Sequence, residues 1–243
     1  MVVEVCANSL ESAVNAEKAG AHRVELCSEL AVGGVTPSFG LIKKVTEALS
    51  IPVFVLIRPR SGNFTYNEGE FEIMKQDIIL CKELGCAGIV SGVLNKDQTI
   101  DITRTRELIA LSSPLNFTFH RAFDWVPDAK LALGQLMEMG ANRVLTSGQQ
   151  ASAEKGVELL QTLNALAKDG IGILPGGGIK PENAALFKNA NFSEIHVSAS
   201  TIETVSERPE VPMNSDKFFD ETIRSYSDVA TIQKILKQTN PSG

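Results

Sequence analysis

Two short runs early in the chain, Val3-Glu4-Val5-Cys6 and Val24-Glu25-Leu26-Cys27, repeat one signature. Alternate residues of an extended segment share a face, so each run sets a carboxylate and a thiol opposite two aliphatic residues. Paired carboxylates can trade protons with a substrate, which makes Glu4 or Glu25 a candidate general base. Two carboxylates in one enclosed space raise each other's pKa unless a cation such as Arg23, Arg58 or His120 neutralises one. Cys6 and Cys27, at the tips of strands about 4.8 Å apart, suit a soft ion such as Cu(I). Free cysteines also serve as simple core filler, and Cys81 and Cys86 read that way. No zinc-type cysteine spacing occurs.

Further along lie the groups that could handle an anion. Arg58-Pro59-Arg60 reads as an anion clamp through Arg58, or as a solvated loop. In His120-Arg121-Ala122-Phe123-Asp124, His120 and Asp124 are candidates for acid–base work, His120 as general acid, and Arg121 for holding an anion. His196 alternates with Glu194 and Ser198 on one strand face. Gly176, Gly177 and Gly178 bring backbone N–H groups within reach of a phosphate or carboxylate, with Ser198 completing the cradle. A tight turn would use only one or two of those glycines.

These residues need a scaffold that points them at one place. Strand-like runs at 2–6, 22–27, 52–58, 87–92, 116–120, 142–146, 171–175 and 194–198 recur about every 27 residues, as repeated βα units do. Helical stretches fill the gaps: 9–18, 36–49 opened by Thr36-Pro37, 70–84, 104–111, 128–139, 153–168 and 181–188, then 228–237. Eight alternating pairs predict a single-domain (β/α)8 barrel over 1–243, whose strand C-terminal ends gather the polar residues at one mouth. A doubly wound open sheet is the rival, but the first strand ends in Val5-Cys6-Ala7-Asn8 without a dinucleotide fingerprint, so no nucleotide cofactor is expected. Residues 202–227, with Pro209 and Pro212, read as an irregular loop or an oligomer contact.

Composition narrows the partners. A net charge of −6 with no basic run argues against nucleic acid, and no apolar stretch is long enough to span a bilayer. Four cysteines make no disulfide framework, and the absence of a leader pattern points to the cytoplasm, where they stay reduced.

Taken together, Glu4-Val5-Cys6, Val24-Glu25-Leu26-Cys27-Ser28, Gly33-Gly34-Val35-Thr36-Pro37-Ser38, Ile57-Arg58-Pro59-Arg60 and Phe119-His120-Arg121-Ala122-Phe123-Asp124 resemble the CutC copper-homeostasis family. Val144-Leu145-Thr146-Ser147-Gly148, Pro175-Gly176-Gly177-Gly178-Ile179 and His196-Val197-Ser198-Ala199 extend the likeness to about residue 200. The resemblance implies a cytosolic barrel, a homo-oligomer, and Cu(I) held by Cys6 and Cys27. Two functions follow. One is copper homeostasis through the paired thiols. The other is an isomerase or lyase type of proton transfer on a small phosphorylated or carboxylated metabolite, because a copper buffer has no need of His120, Arg58, Asp124, His196 and a triple-glycine loop.

Overall fold

The computed structural model describes residues 1–168, 170–213 and 220–240. Eight parallel strands run in the order β7-β6-β5-β4-β3-β2-β1-β8: β1 (Val2–Ala7), β2 (Arg23–Leu26), β3 (Val53–Leu56), β4 (Gly88–Ser91), β5 (Asn116–Phe119), β6 (Arg143–Thr146), β7 (Gly172–Pro175) and β8 (Glu194–Val197). A bridge between Gly176 and His196 joins the two ends of that order. Helices alternate with the strands: α1 (Leu10–Ala19), α2 (Phe39–Ala48), α3 (Glu68–Glu83), α4 (Ile102–Ser112), α5 (Ala129–Met139), α6 (Val157–Ala167), α7 (Ala184–Asn189) and α8 (Val229–Thr239). This is the expected (β/α)8 barrel, not the open sheet.

Helix ends follow local chemistry. Ser9 accepts the Ser12 N–H at 3.1 Å to start α1, and Gly20, at φ 95°, ends it. Asn67 and Glu70 form a reciprocal capping box at the head of α3. The expected start of α2 at Thr36-Pro37 is corrected: Ser38 is the N-cap. Thr36 is engaged elsewhere, its N–H donating to the Arg58 carbonyl at 2.9 Å and its hydroxyl accepting the Arg58 N–H at 2.8 Å.

Strand alternation sorts the core into two bodies. Val3, Val5, Val24 and Leu26 belong to the larger apolar cluster, which also takes in buried helix residues, while Cys6, Cys27, Phe54, Leu56 and Val90 form a separate cluster inside the barrel. Interior charges lie toward the N-terminal ends of the strands. Arg23 pairs with Glu4 and, at 2.7 Å, with Glu194, and Arg143 reaches Glu194 at 3.0 Å. The ring of Phe54 faces both guanidiniums, 4.7 Å from Arg23 and 5.3 Å from Arg143. That ring needs Gly88, where a Cβ would come within 2.6 Å of it.

The segment 202–227 is more regular than expected. Its two flanks belong to an antiparallel pair, β9 (Ser200–Thr204) and β10 (Ile223–Ser227). Asn8 ties this pair to the barrel through the Ser225 carbonyl and hydroxyl, at 3.2 and 3.1 Å. Residues 214–219 lie outside the described residues. No described helix is long and apolar enough to cross a membrane.

Candidate functional site

A cavity of about 390 Å³ opens at the C-terminal ends of the strands. Of the residues singled out from sequence, Cys6, Glu25, Arg58, His120, Arg121, Gly177, Gly178, His196 and Ser198 line it. Glu4, Cys27, Asp124 and Gly176 do not. Glu4 is fully buried below, held between Arg23 and His196. Gly176 packs against Leu145 and His196 beside the wall.

Asp124 faces the loop after β6. It accepts the Thr146 hydroxyl at 2.5 Å, the Ser147 N–H at 3.0 Å and the Gln149 N–H at 3.2 Å. Its other oxygen takes Arg121 Nε at 2.8 Å, and Arg121 also donates to the Ser147 hydroxyl at 2.9 Å. Asp124 thus orders the rim and aims Arg121.

His196 organises the acidic side. Its Nδ1 lies 2.7 Å from Glu4 Oε1 and 3.3 Å from Glu25 Oε2. Burial opposes charge on the ring, but Glu25, a Cys6 hydrogen bond and Glu4 outweigh it and raise its pKa well above the ordinary value, so His196 is a cation. Burial alone would push both carboxyls up. Glu4 is instead lowered to about 2 by the His196 hydrogen bond and Arg23. Glu25 is raised to about 7 by burial and the Glu4 charge, against the pull of His196, and its Oε2 has no hydrogen-bond partner. The two carboxyls expected to perturb each other are split in this way.

His120 is held tightly at the end of β5. Its Nδ1 accepts the Ala122 N–H at 3.2 Å, so the ring proton belongs on Nε2, which is buried without a partner. Burial and nearby Arg58 lower its pKa to about 3. It can offer a hydrogen bond as a neutral imidazole, but not act as an imidazolium acid at neutral pH. Arg58 spends Nη1 on the Val32 and Gly34 carbonyls, at 2.8 and 2.7 Å, and Nη2 on Gly62 at 2.8 Å. Its guanidinium rests over Phe64, 5.1 Å from the ring centroid.

Cys6 and Cys27 are free and buried, with their sulfurs 3.6 Å apart. The Cys27 hydrogen bond and burial raise the Cys6 pKa well above the ordinary thiol value. Two soft sulfurs form a donor set that fits Cu(I) chemically, with the His196 ring lying against Cys6. Glu4, Glu25 and His196 also place one ligand atom each within 4.8 Å of one another, but Arg23 and the His196 proton already balance that charge.

Phe64 and Trp125 were not singled out from sequence, yet they stack edge to face at 4.9 Å and form an apolar wall of the cavity. The available signal was Trp125 itself, the single tryptophan, directly after Asp124.

A model of the CutC family matches residues 1–201. The chain belongs to the CutC family. A human relative, named copper homeostasis protein cutC homolog, is 48% identical over 199 residues, covering 82% of this chain and 73% of its own length. A CutC family protein of Histophilus somni is 45% identical over 207 residues, 85% of each chain. A crystal structure of CutC from Streptococcus agalactiae superposes with a TM-score of 0.78 at 35% identity, covering 82% of this chain and 98% of that one. The family match ends near β9, so the β10 strand and α8 lie beyond it.

Proposed function

We propose that this protein takes part in copper homeostasis by binding Cu(I) at Cys6 and Cys27, with His196 beside them. The observation that carries the reading is the sulfur pair itself: two free thiols 3.6 Å apart, one of them on the cavity wall. Copper reaching the cavity meets Cys6 first, then the deeper Cys27. The proposal places the protein in the cytoplasm, as a homo-oligomer, where a reducing medium keeps the thiols free.

Anaerobic titration of reduced protein with Cu(I) against a competing chelator tests it. The wild type takes up one equivalent tightly, and Cys6→Ser/Cys27→Ser loses that site. Unchanged affinity in the double variant overturns the assignment. Thiols surrender protons on metallation, so affinity rises with pH by up to about tenfold per unit for each proton released.

The second reading, proton-transfer chemistry of isomerase or lyase type, is favoured by Glu25, a cavity-lining carboxyl poised at about 7. Glu25 faces Cys6 in strand register, so bound copper and that chemistry would compete for one space.

A further inference from the structure

Copper binding leaves the opposite side of the cavity without a purpose. That side contains Arg58, only 6% exposed, with no carboxylate in ion-pair contact among the described residues. A buried cation without a counter-charge is costly, and three backbone carbonyls fix this one in place. Next to it, the Nε2 of His120, 5% exposed, is a buried donor with nothing to bond. Gly92 fixes that ring closely, since a Cβ there would come within 2.7 Å of it. Across the cavity, Glu25 Oε2 is a buried acceptor that lacks a hydrogen bond, although His196 Nδ1 lies 3.3 Å from it. Native interiors rarely leave such groups unsatisfied unless a ligand completes them.

The remaining walls say what else the ligand carries. Leu30, Val32, Leu56, Phe64 and Trp125 offer apolar contact, and 390 Å³ is at the small end for a ligand site. We propose that this cavity binds a small hydroxylated organic anion. Its anionic oxygen accepts from His120 Nε2 beside the Arg58 charge, and its hydroxyl donates to Glu25. The carbon skeleton rests against Phe64 and Trp125. The Ala122 N–H on Nδ1 fixes the tautomer that carries the proton on Nε2, so the neutral ring still presents a donor to the cavity. The site does not depend on whether the ligand turns over, and copper at Cys6 would compete with its hydroxyl for the Glu25 side of the cavity.

Four three-carbon probes separate the contributions: glycerate, glycerol 3-phosphate, glycerol and propionate. Each is titrated into the full-length protein with a Cu(I) chelator present, following the His120 Nε2 resonance by nitrogen NMR. Glycerate or glycerol 3-phosphate should shift that resonance and bind at least about tenfold more tightly than glycerol or propionate, since each control lacks a required group. The tighter of the two names the anion as carboxylate or phosphate. His120→Phe, which keeps an aromatic ring but no Nε2–H, should lose about tenfold in affinity; because it also leaves the Ala122 N–H without its acceptor, its fold is checked by circular dichroism. Arg58→Gln should lose more, with its fold checked by circular dichroism. The proposal fails if no probe moves the His120 signal, if all four bind alike, or if His120→Phe binds the anions as well as the wild type.

Discussion

Glu4 and Glu25 stand on neighbouring strands and share one histidine, yet their surroundings pull them apart. Glu25, raised to about 7, holds its proton more tightly in the folded chain than in the unfolded one. Stability therefore falls as pH climbs from the ordinary carboxylate range toward 7, then levels off. Glu25→Gln removes that penalty, so its melting temperature relative to wild type should rise between pH 5 and pH 8. The gain is on the order of 1–3 kcal/mol, at about 2–4 °C per kcal/mol. Calorimetry at four pH values reads it, and a flat difference would refute the assigned environment. Glu4 has the opposite sign. Its carboxyl, lowered to about 2, contributes stability above its ordinary pKa that is lost as pH falls toward 2. Glu4→Gln leaves Arg23 and His196 short of a partner and should cost roughly 3–5 kcal/mol at pH 7, shrinking in acid, by chemical denaturation.

At the scale of elements, the barrel floor shows why strand sequences are specific beyond their alternation. Phe54 on β3 lies against the guanidiniums of β2 and β6, and it fits only because β4 begins with Gly88. Gly88→Ala should therefore destabilise by about 1–3 kcal/mol through overpacking, read as a lower urea midpoint with an unchanged slope. A wild-type midpoint would mean that the ring has room to move. This floor was half legible in the sequence. Glu4, Arg23 and Glu194 were marked by polar residues falling at inward parity, whereas in β6 the inward neighbour of Arg143 is the apolar Leu145 and the polar Thr146 falls on the other parity, so alternation does not mark the interior there. The (β/α)8 alternation was legible because each βα unit pairs apolar strands with capped helices. The α2 start was not, because Thr36-Pro37 imitates a cap while Thr36 in fact anchors the exit of β3. The β9 and β10 strands were hidden by the Pro209–Pro212 stretch between them and by the exposure of β9, which leaves that strand no apolar face to read. Of the site, residue identity was visible but orientation was not. Asp124 sits in the same motif as His120, yet only the fold shows it turned into the rim.

For the whole molecule, the barrel is not equally closed around its circumference. β1 pairs with β2 and with β8 over four residues each, and β6 with β7 over four. Between β7 and β8, the pairing found among the described residues is the bridge from Gly176 to His196. Opening free energy varies across a structure with the number of hydrogen bonds that must break together. The amides of β7 and β8 that face each other should therefore exchange with solvent sooner than those between β1 and β2. The same two edges carry Gly177 and Gly178 on one side and His196 and Ser198 on the other, so the cavity spans the weakest join of the barrel. A ligand that binds the closed form alone stabilises it by mass action, by about 2.7 kcal/mol at one hundred times its dissociation constant. Cu(I) bound as proposed at Cys6 and Cys27 would lie beside His196 on the β8 edge, so loading should slow exchange at β8 while leaving β3 to β5 nearly unchanged. Hydrogen exchange followed by mass spectrometry, with and without one equivalent of Cu(I), measures both effects. Equal protection of β7–β8 and β1–β2 without metal would show that the barrel closes uniformly, and slowing spread over all eight strands would show that copper stabilises the fold without acting at this join.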